Sequence, residues 1–159
     1  MAHAHAGWSE NRDYVSPALA FRAPAGGVVW LIGRVILGGL FLISGSQKLM
    51  GLDQFAASLV KDGIPDQFAH ALAWLGAGVE TIGGLFIVLG LATSWTSLAM
   101  VAFTIVAAFL AHRFWQAPPD ARMTQTAHFE KNMMIAAAFC LLYVAGGGPY
   151  SIDRWRRFH

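Results

Sequence analysis

Four continuous apolar runs, at residues 28–47, 71–91, 95–111 and 133–147, constrain this chain more than any other feature. A helix that spans a bilayer needs about 20 predominantly apolar residues. The first three runs are long enough, and the fourth is short. A membrane β-barrel would show alternating segments of about ten residues. These runs do not alternate, and the longest are about twice that length, which selects helices. Composition agrees: of 159 residues, 56% are hydrophobic and only 13% charged, about half the charge of a typical soluble domain. That balance excludes a soluble enzyme with a charged surface, a disordered chain and a nucleic-acid binder. The net charge of +2 implies little about acidic partners. The expected fold is all-α, an antiparallel bundle of four transmembrane helices with a short interfacial helix between the first two.

Residues 1–23 are polar and mixed, with His3, His5, Glu10, Arg12, Asp13 and Arg22 breaking any apolar stretch. They read as a surface tail rather than a signal peptide, which needs an uninterrupted apolar stretch and a cleavage site. The membrane domain is expected over residues 24–153, followed by a basic tail over 154–159. In the mixed segment 49–69, Leu52, Phe55, Ala56, Leu59 and Val60 recur at helical spacing, and Gly63-Ile64-Pro65 closes the interfacial helix they predict. Ala92-Thr93-Ser94 is the whole turn between the second and third runs, so those helices are antiparallel neighbours. Residues 112–131, containing Pro118-Pro119-Asp120, read as a polar loop, and Gly146-Gly147-Gly148-Pro149 stops the fourth helix. Trp30, Trp74, Trp95, Trp115 and Trp155 fall near span ends and read as interfacial belts. Cys140 is the only cysteine. It excludes a disulfide framework or dithiol relay and reads as a small buried packing residue. Four spans put both termini on one side. Arg12, Arg22, Arg154, Arg156 and Arg157 balance Lys48, Lys61, Arg113, Arg122 and Lys131, and the basic cluster after the fourth run favours cytoplasmic termini.

Two charges lie inside the runs, Arg34 and Glu80. A lone charge at the centre of a span costs at least about 2.5–3.5 kcal/mol, so each must face a partner, water or the bundle interior. Arg34, Gly38, Phe41, Gly45 and Lys48 share one helical face; Gly76, Glu80, Gly83, Ile87 and Gly90 share another. Glycines mark close helix contacts in bilayers. Arg34 lies about 9 Å inside its run and Glu80 about 16 Å inside the same surface, at 1.5 Å per residue. An intramembrane Arg34–Glu80 ion pair is therefore expected. It has two readings: a register-setting contact alone, or a centre in which Glu80 handles protons or orients a polar headgroup.

A second group gathers at the opposite surface: Lys48, His70, His112, Arg113, His128 and Lys131. Cationic residues at span ends usually reach for headgroups. Histidines there can also relay protons, and lysines can hold an anionic group. The histidine spacings fit no standard zinc motif, so no metal is expected. The chain has no Walker loop, dinucleotide motif, haem-attachment motif or Ser-His-Asp order.

Gly33-Arg34, then Gly45-Ser46-Gln47-Lys48-Leu49, resembles the first helix of the DoxX family, and Glu80 with Gly83-Gly84 and Gly90 resembles its second. His112-Arg113-Phe114-Trp115 resembles the end of its third. His128-Phe129-Glu130-Lys131-Asn132 and Gly146-Gly147-Gly148-Pro149-Tyr150-Ser151-Ile152-Asp153 resemble its closing segment, with Ile152 where leucine is usual. The resemblance covers residues 28–153 and implies a small four-helix protein of the bacterial inner membrane. Some members are associated with sulfur or thiol redox chemistry, including a subunit of a thiosulfate:quinone oxidoreductase. Others belong to membrane-bound oxidoreductase assemblies.

The expected function is thus a membrane subunit of an oxidoreductase that contributes a quinone or proton-handling site. Glu80 and Arg34 are the candidate catalytic pair. Lys48, His112, His128, Lys131 and Asn132 are the candidate ligand-binding residues. Quinone is the candidate cofactor, and lipid, other redox subunits or further copies of the chain are the expected partners. The alternatives are a structural subunit with no chemistry of its own and a small transporter. The latter is disfavoured because the chain has no repeat and no broken helix.

Overall fold

The computed structural model describes residues 24–156. The expected tail at residues 1–23, with its two histidines, and residues 157–159 of the basic tail lie outside the described residues. Six helices follow in order: α1 (Pro24–Met50), α2 (Leu52–Lys61), α3 (Asp66–Leu89), α4 (Thr93–Ala111), α5 (Pro119–Ala145) and α6 (Ile152–Trp155); there is no strand among the described residues. Three helices, α1, α3 and α4, are long and apolar enough to cross a membrane. The fourth long helix, α5, has 27 residues but contains Asp120, Arg122, Glu130 and Lys131 and is not among them.

The helices outrun the apolar runs because polar flanks do not stop a helix. The main correction falls on residues 112–131. Pro119 occupies the first turn of α5, where a missing N–H breaks no hydrogen bond and the fixed φ suits a helix. What reads as a loop is therefore mostly the polar half of a long helix. The short helix expected between the first two runs is α2. Its buried Ala56 packs with Ala69 and Ala73 of α3.

Helix α1 packs on α3, α3 on α4, and α4 on α5. On α3 the buried residues are Ala69, Ala73, Ala77, Glu80, Gly84 and Ile87, spaced by three and four so that they form one stripe. Where α1 and α3 cross, Gly38 meets Gly84: a Cβ on Gly38 would lie 2.8 Å from the Gly84 carbonyl oxygen. On α3 the glycine that meets α1 is Gly84, which lies outside the expected face, rather than Gly83. Gly83 faces Met100 of α4 instead. Ile87, Met100, Phe139 and Leu142 form the apolar centre, with Trp30 and Phe41 against it. The outward positions of the three apolar helices are equally apolar: Leu40 is 64% exposed, Leu75 63% and Val106 56%. Apolar area of that extent on a long helical surface belongs against hydrocarbon. Cys140 is exposed rather than buried. The inward stripe of α5 runs through Ala136, Phe139 and Leu142, and Cys140 sits about 100° round from Phe139.

Candidate functional site

Glu80 lies on the buried stripe of α3 and is 5% exposed. Its carboxylate is held from α1: Ser44 Oγ donates to Oε2 at 2.9 Å, and Lys48 Nζ donates to Oε1. Ser44 and Lys48 are one turn apart on one face, so a single helix presents both donors. Gly45 makes this possible, since a Cβ there would collide with the backbone and hydroxyl of Thr81. The Lys48 side chain is 31% exposed against 7% for Glu80, and its Nζ lies 5.0 Å from the ring centre of Phe55 on α2. The lysine thus runs from the membrane surface to the buried acid.

The expected Arg34–Glu80 pair does not form. The contacts of Gly45 with Glu80 and of Gly38 with Ile87 fix the antiparallel register. That register places Arg34 beside Gly90, about 15 Å along α3 from Glu80. There Arg34 is 3% exposed and donates from Nη2 to the Tyr150 carbonyl, with Asp153 as the opposing charge.

Arg34 belongs to a latch that closes the C-terminal segment over one end of the molecule. Trp30 Nε1 donates to the Gly146 carbonyl at 3.0 Å, so this tryptophan is tied inward rather than serving only as a belt residue. Asp153 accepts from the backbone N–H groups of Ala92 and Thr93 at 2.6 and 2.7 Å, capping α4. Its own N–H donates to the Gly90 carbonyl at 2.9 Å. Gly90 is left-handed, at φ 66°, and a Cβ there would overlap the Arg34 guanidinium.

At the other end, the His112 and His128 rings stack with centres 5.1 Å apart. His112 Nδ1 lies 3.0 Å from Gln125 Oε1, and Lys131 Nζ lies 3.3 Å from His128 Nδ1. As a donor, the lysine selects the His128 tautomer with the proton on Nε2. Burial, then the charges of Lys131 and His112, push the His128 pKa down. His70 stands apart, exposed, with Nδ1 4.0 Å from Asp53. Asn132 is half-buried on α5 and takes part in none of these contacts. Lys48 belongs with Glu80 rather than with the histidines.

The third polar feature is on α4, where Thr93, Ser97 and Thr104 are at most 2% exposed. Among the described residues their hydroxyls have no hydrogen-bond partner. Elsewhere Ser46 and Thr81 bond back to the carbonyl four residues earlier, the usual solution in apolar helices. Burial of these three was not legible from α4, whose surface is apolar all round.

No solved structure matches the chain. The DoxX family model matches residues 29–113. Inner membrane protein YphA of Escherichia coli (strain K12) is 34% identical over 130 residues, which is 80% of this chain and 89% of that protein. Inner membrane protein YqjF of the same organism is 32% identical over 124 residues, covering 78% and 88%. The chain belongs to the DoxX family. Both relatives are inner membrane proteins, and the three apolar helices suit this DoxX chain to the same membrane. The match to the DoxX model takes in Arg34, Ser44, Lys48, Glu80 and His112. Ser44 is the one member of the Glu80 centre that the sequence reading missed; its place one turn before Lys48 was the available signal.

Proposed function

We propose that this DoxX protein is a membrane subunit of an inner-membrane redox assembly in which Glu80 takes up and releases a proton, with Lys48 compensating its charge. The observation that carries the reading is the Glu80 centre: a carboxylate buried in a span, bonded to an ammonium and a hydroxyl from the neighbouring helix. Intramembrane ionisable groups with this kind of compensation mark proton or ligand paths. The unpartnered Thr104 hydroxyl of α4 supports it. Thr104 lies about 16 Å beyond Thr93, and Glu80 about 15 Å before Gly90, so the two share one depth. In this reading α5 makes the fourth crossing through residues 133–145, with Leu141 and Val144 towards lipid.

Quinone enters the reading less directly. An apolar groove of about 400 Å³ runs between α3 and α4, lined by Val79, Ile82, Phe86, Thr96 and Met100, and suits a flat apolar ring. A quinone also needs an acid–base group at its ring. The groove offers one hydroxyl, Thr96, and Glu80 faces α1 instead. The proton centre is therefore the chain's own contribution, and the redox group belongs to a partner.

Mild purification from native membranes, followed by a search for copurifying redox subunits and bound quinone, tests the assembly. Turnover of that assembly with Glu80→Gln tests the acid, and a loss of at least tenfold is expected. Recovery of neither partner nor quinone removes the redox reading. The latch favours one alternative, a purely structural subunit, because Arg34, Trp30 and Asp153 are all engaged in closing the fold. In that case deletion disrupts the assembly while Glu80→Gln leaves turnover intact.

A further inference from the structure

The end of the molecule opposite Arg34 carries a cleft that the proton centre does not use. It measures about 410 Å³ and opens where the end of α2, the end of α4 and the start of α5 meet. It is lined by Leu110, in the last turn of the α4 span, by Lys61, Asp62 and Arg113, and by the amides of Gln116 and Gln125. With apolar and cationic groups in one lining at the end of the α4 span, the cleft falls where hydrocarbon gives way to headgroups.

Its cations are available. Arg113 Nε donates to the Leu110 carbonyl at 3.1 Å, and Nη1 makes only a long contact of 3.5 Å to Gln116. Among the described residues, the two ion pairs are Lys48 with Glu80 and His70 with Asp53, and neither involves Lys61 or Arg113. Asp62 is the carboxylate in the cleft; partial burial raises its pKa, against the pull of Arg113 and then His112. Two cations against one carboxylate leave a positive excess. Gln116 and Gln125 add neutral hydrogen-bonding groups, and Asp62 can accept from a hydroxyl on the bound group.

We infer that this cleft binds a phosphate-class oxyanion, with Lys61 and Arg113 as the cationic contacts and Leu110 in the same lining. A planar guanidinium beside an ammonium suits such a group. An anionic phospholipid headgroup and free phosphate share this chemistry. The inference stands independently of the Glu80 reading.

The test is native mass spectrometry of the delipidated full-length protein, titrated separately with phosphatidylglycerol, phosphatidylcholine and inorganic phosphate. The variants are Lys61→Gln, Arg113→Gln and their combination, with Arg156→Gln at the opposite end as a charge-matched control. Selective retention of phosphatidylglycerol identifies a lipid headgroup, and retention of inorganic phosphate identifies a free anion; either supports the site. A cation that contacts the headgroup contributes about fivefold to anionic-lipid affinity. Each single variant should therefore bind about fivefold more weakly and the double variant about thirtyfold, with the control unchanged. Lys61 is exposed and Arg113 half-buried, and an unchanged melting temperature confirms folding. Should the double variant not fold, the Lys61→Gln result decides alone. Equal binding of both lipids with no binding of phosphate overturns the inference, as does wild-type binding by the variants.

Discussion

Replacing Lys48 with methionine keeps most of the side chain's apolar length and removes its charge. Glu80, with a side chain 7% exposed, would then face the bundle interior with only the Ser44 hydroxyl for support. Removing one partner of a buried ion pair costs about 3–5 kcal/mol. The Lys48 side chain is 31% exposed, so water already screens part of the attraction and the low end, about 3 kcal/mol, is expected. Glu80→Gln keeps the shape, and the double variant has no charge to compensate. It should therefore be more stable than Lys48→Met alone, by about 2 kcal/mol. The assay is reversible unfolding in mixed detergent micelles, run as a double-mutant cycle, with Arg34→Gln combined with Glu80→Gln as the comparison. Arg34 lies about 15 Å away along the helices, so that second pair should be additive within about 0.5 kcal/mol. The reasoning is refuted if Arg34, rather than Lys48, couples to Glu80. It also fails if Lys48→Met is no less stable than the double variant.

Gly84→Ala places a methyl 2.7 Å from the Gly38 carbonyl and should destabilise by about 1–3 kcal/mol, whereas Gly39→Ala, with nothing within 4 Å, should be neutral or slightly stabilising; micellar unfolding distinguishes them. Asp153→Ala removes the cap of α4 and should cost about 1–2 kcal/mol, with faster proteolysis near residue 150 as the local readout. His128 has a lowered pKa in the fold, so the unfolded chain binds its proton first as pH falls. Its contribution is complete above the ordinary histidine value of about 6.5 and is lost as pH drops through the lower folded value. A stability titration should show this dependence in the wild type and a weaker one in His128→Gln.

Much of the fold was legible because bilayer length and hydrophobicity are local properties of a run. The apolar segments at residues 28–47, 71–91 and 95–111 lie within or largely overlap α1, α3 and α4. The same local logic misread α5: polarity at residues 119–132 does not stop a helix, which continues through it. Cys140 was misassigned for a related reason, since an apolar neighbourhood in sequence does not say which face points inward.

By itself the sequence determined that Arg34 and Glu80 must be compensated, because their desolvation cost does not depend on the neighbour that meets them. It also determined that glycines would let helices approach. Only the tertiary structure decided the partners. Gly38 against Gly84, and Gly45 against Glu80, set one antiparallel register. That register joins Glu80 to Lys48 and sends Arg34 to the C-terminal latch. A shift of one or two turns would satisfy the same composition with different pairs, and backbone contact between α1 and α3 selects among them.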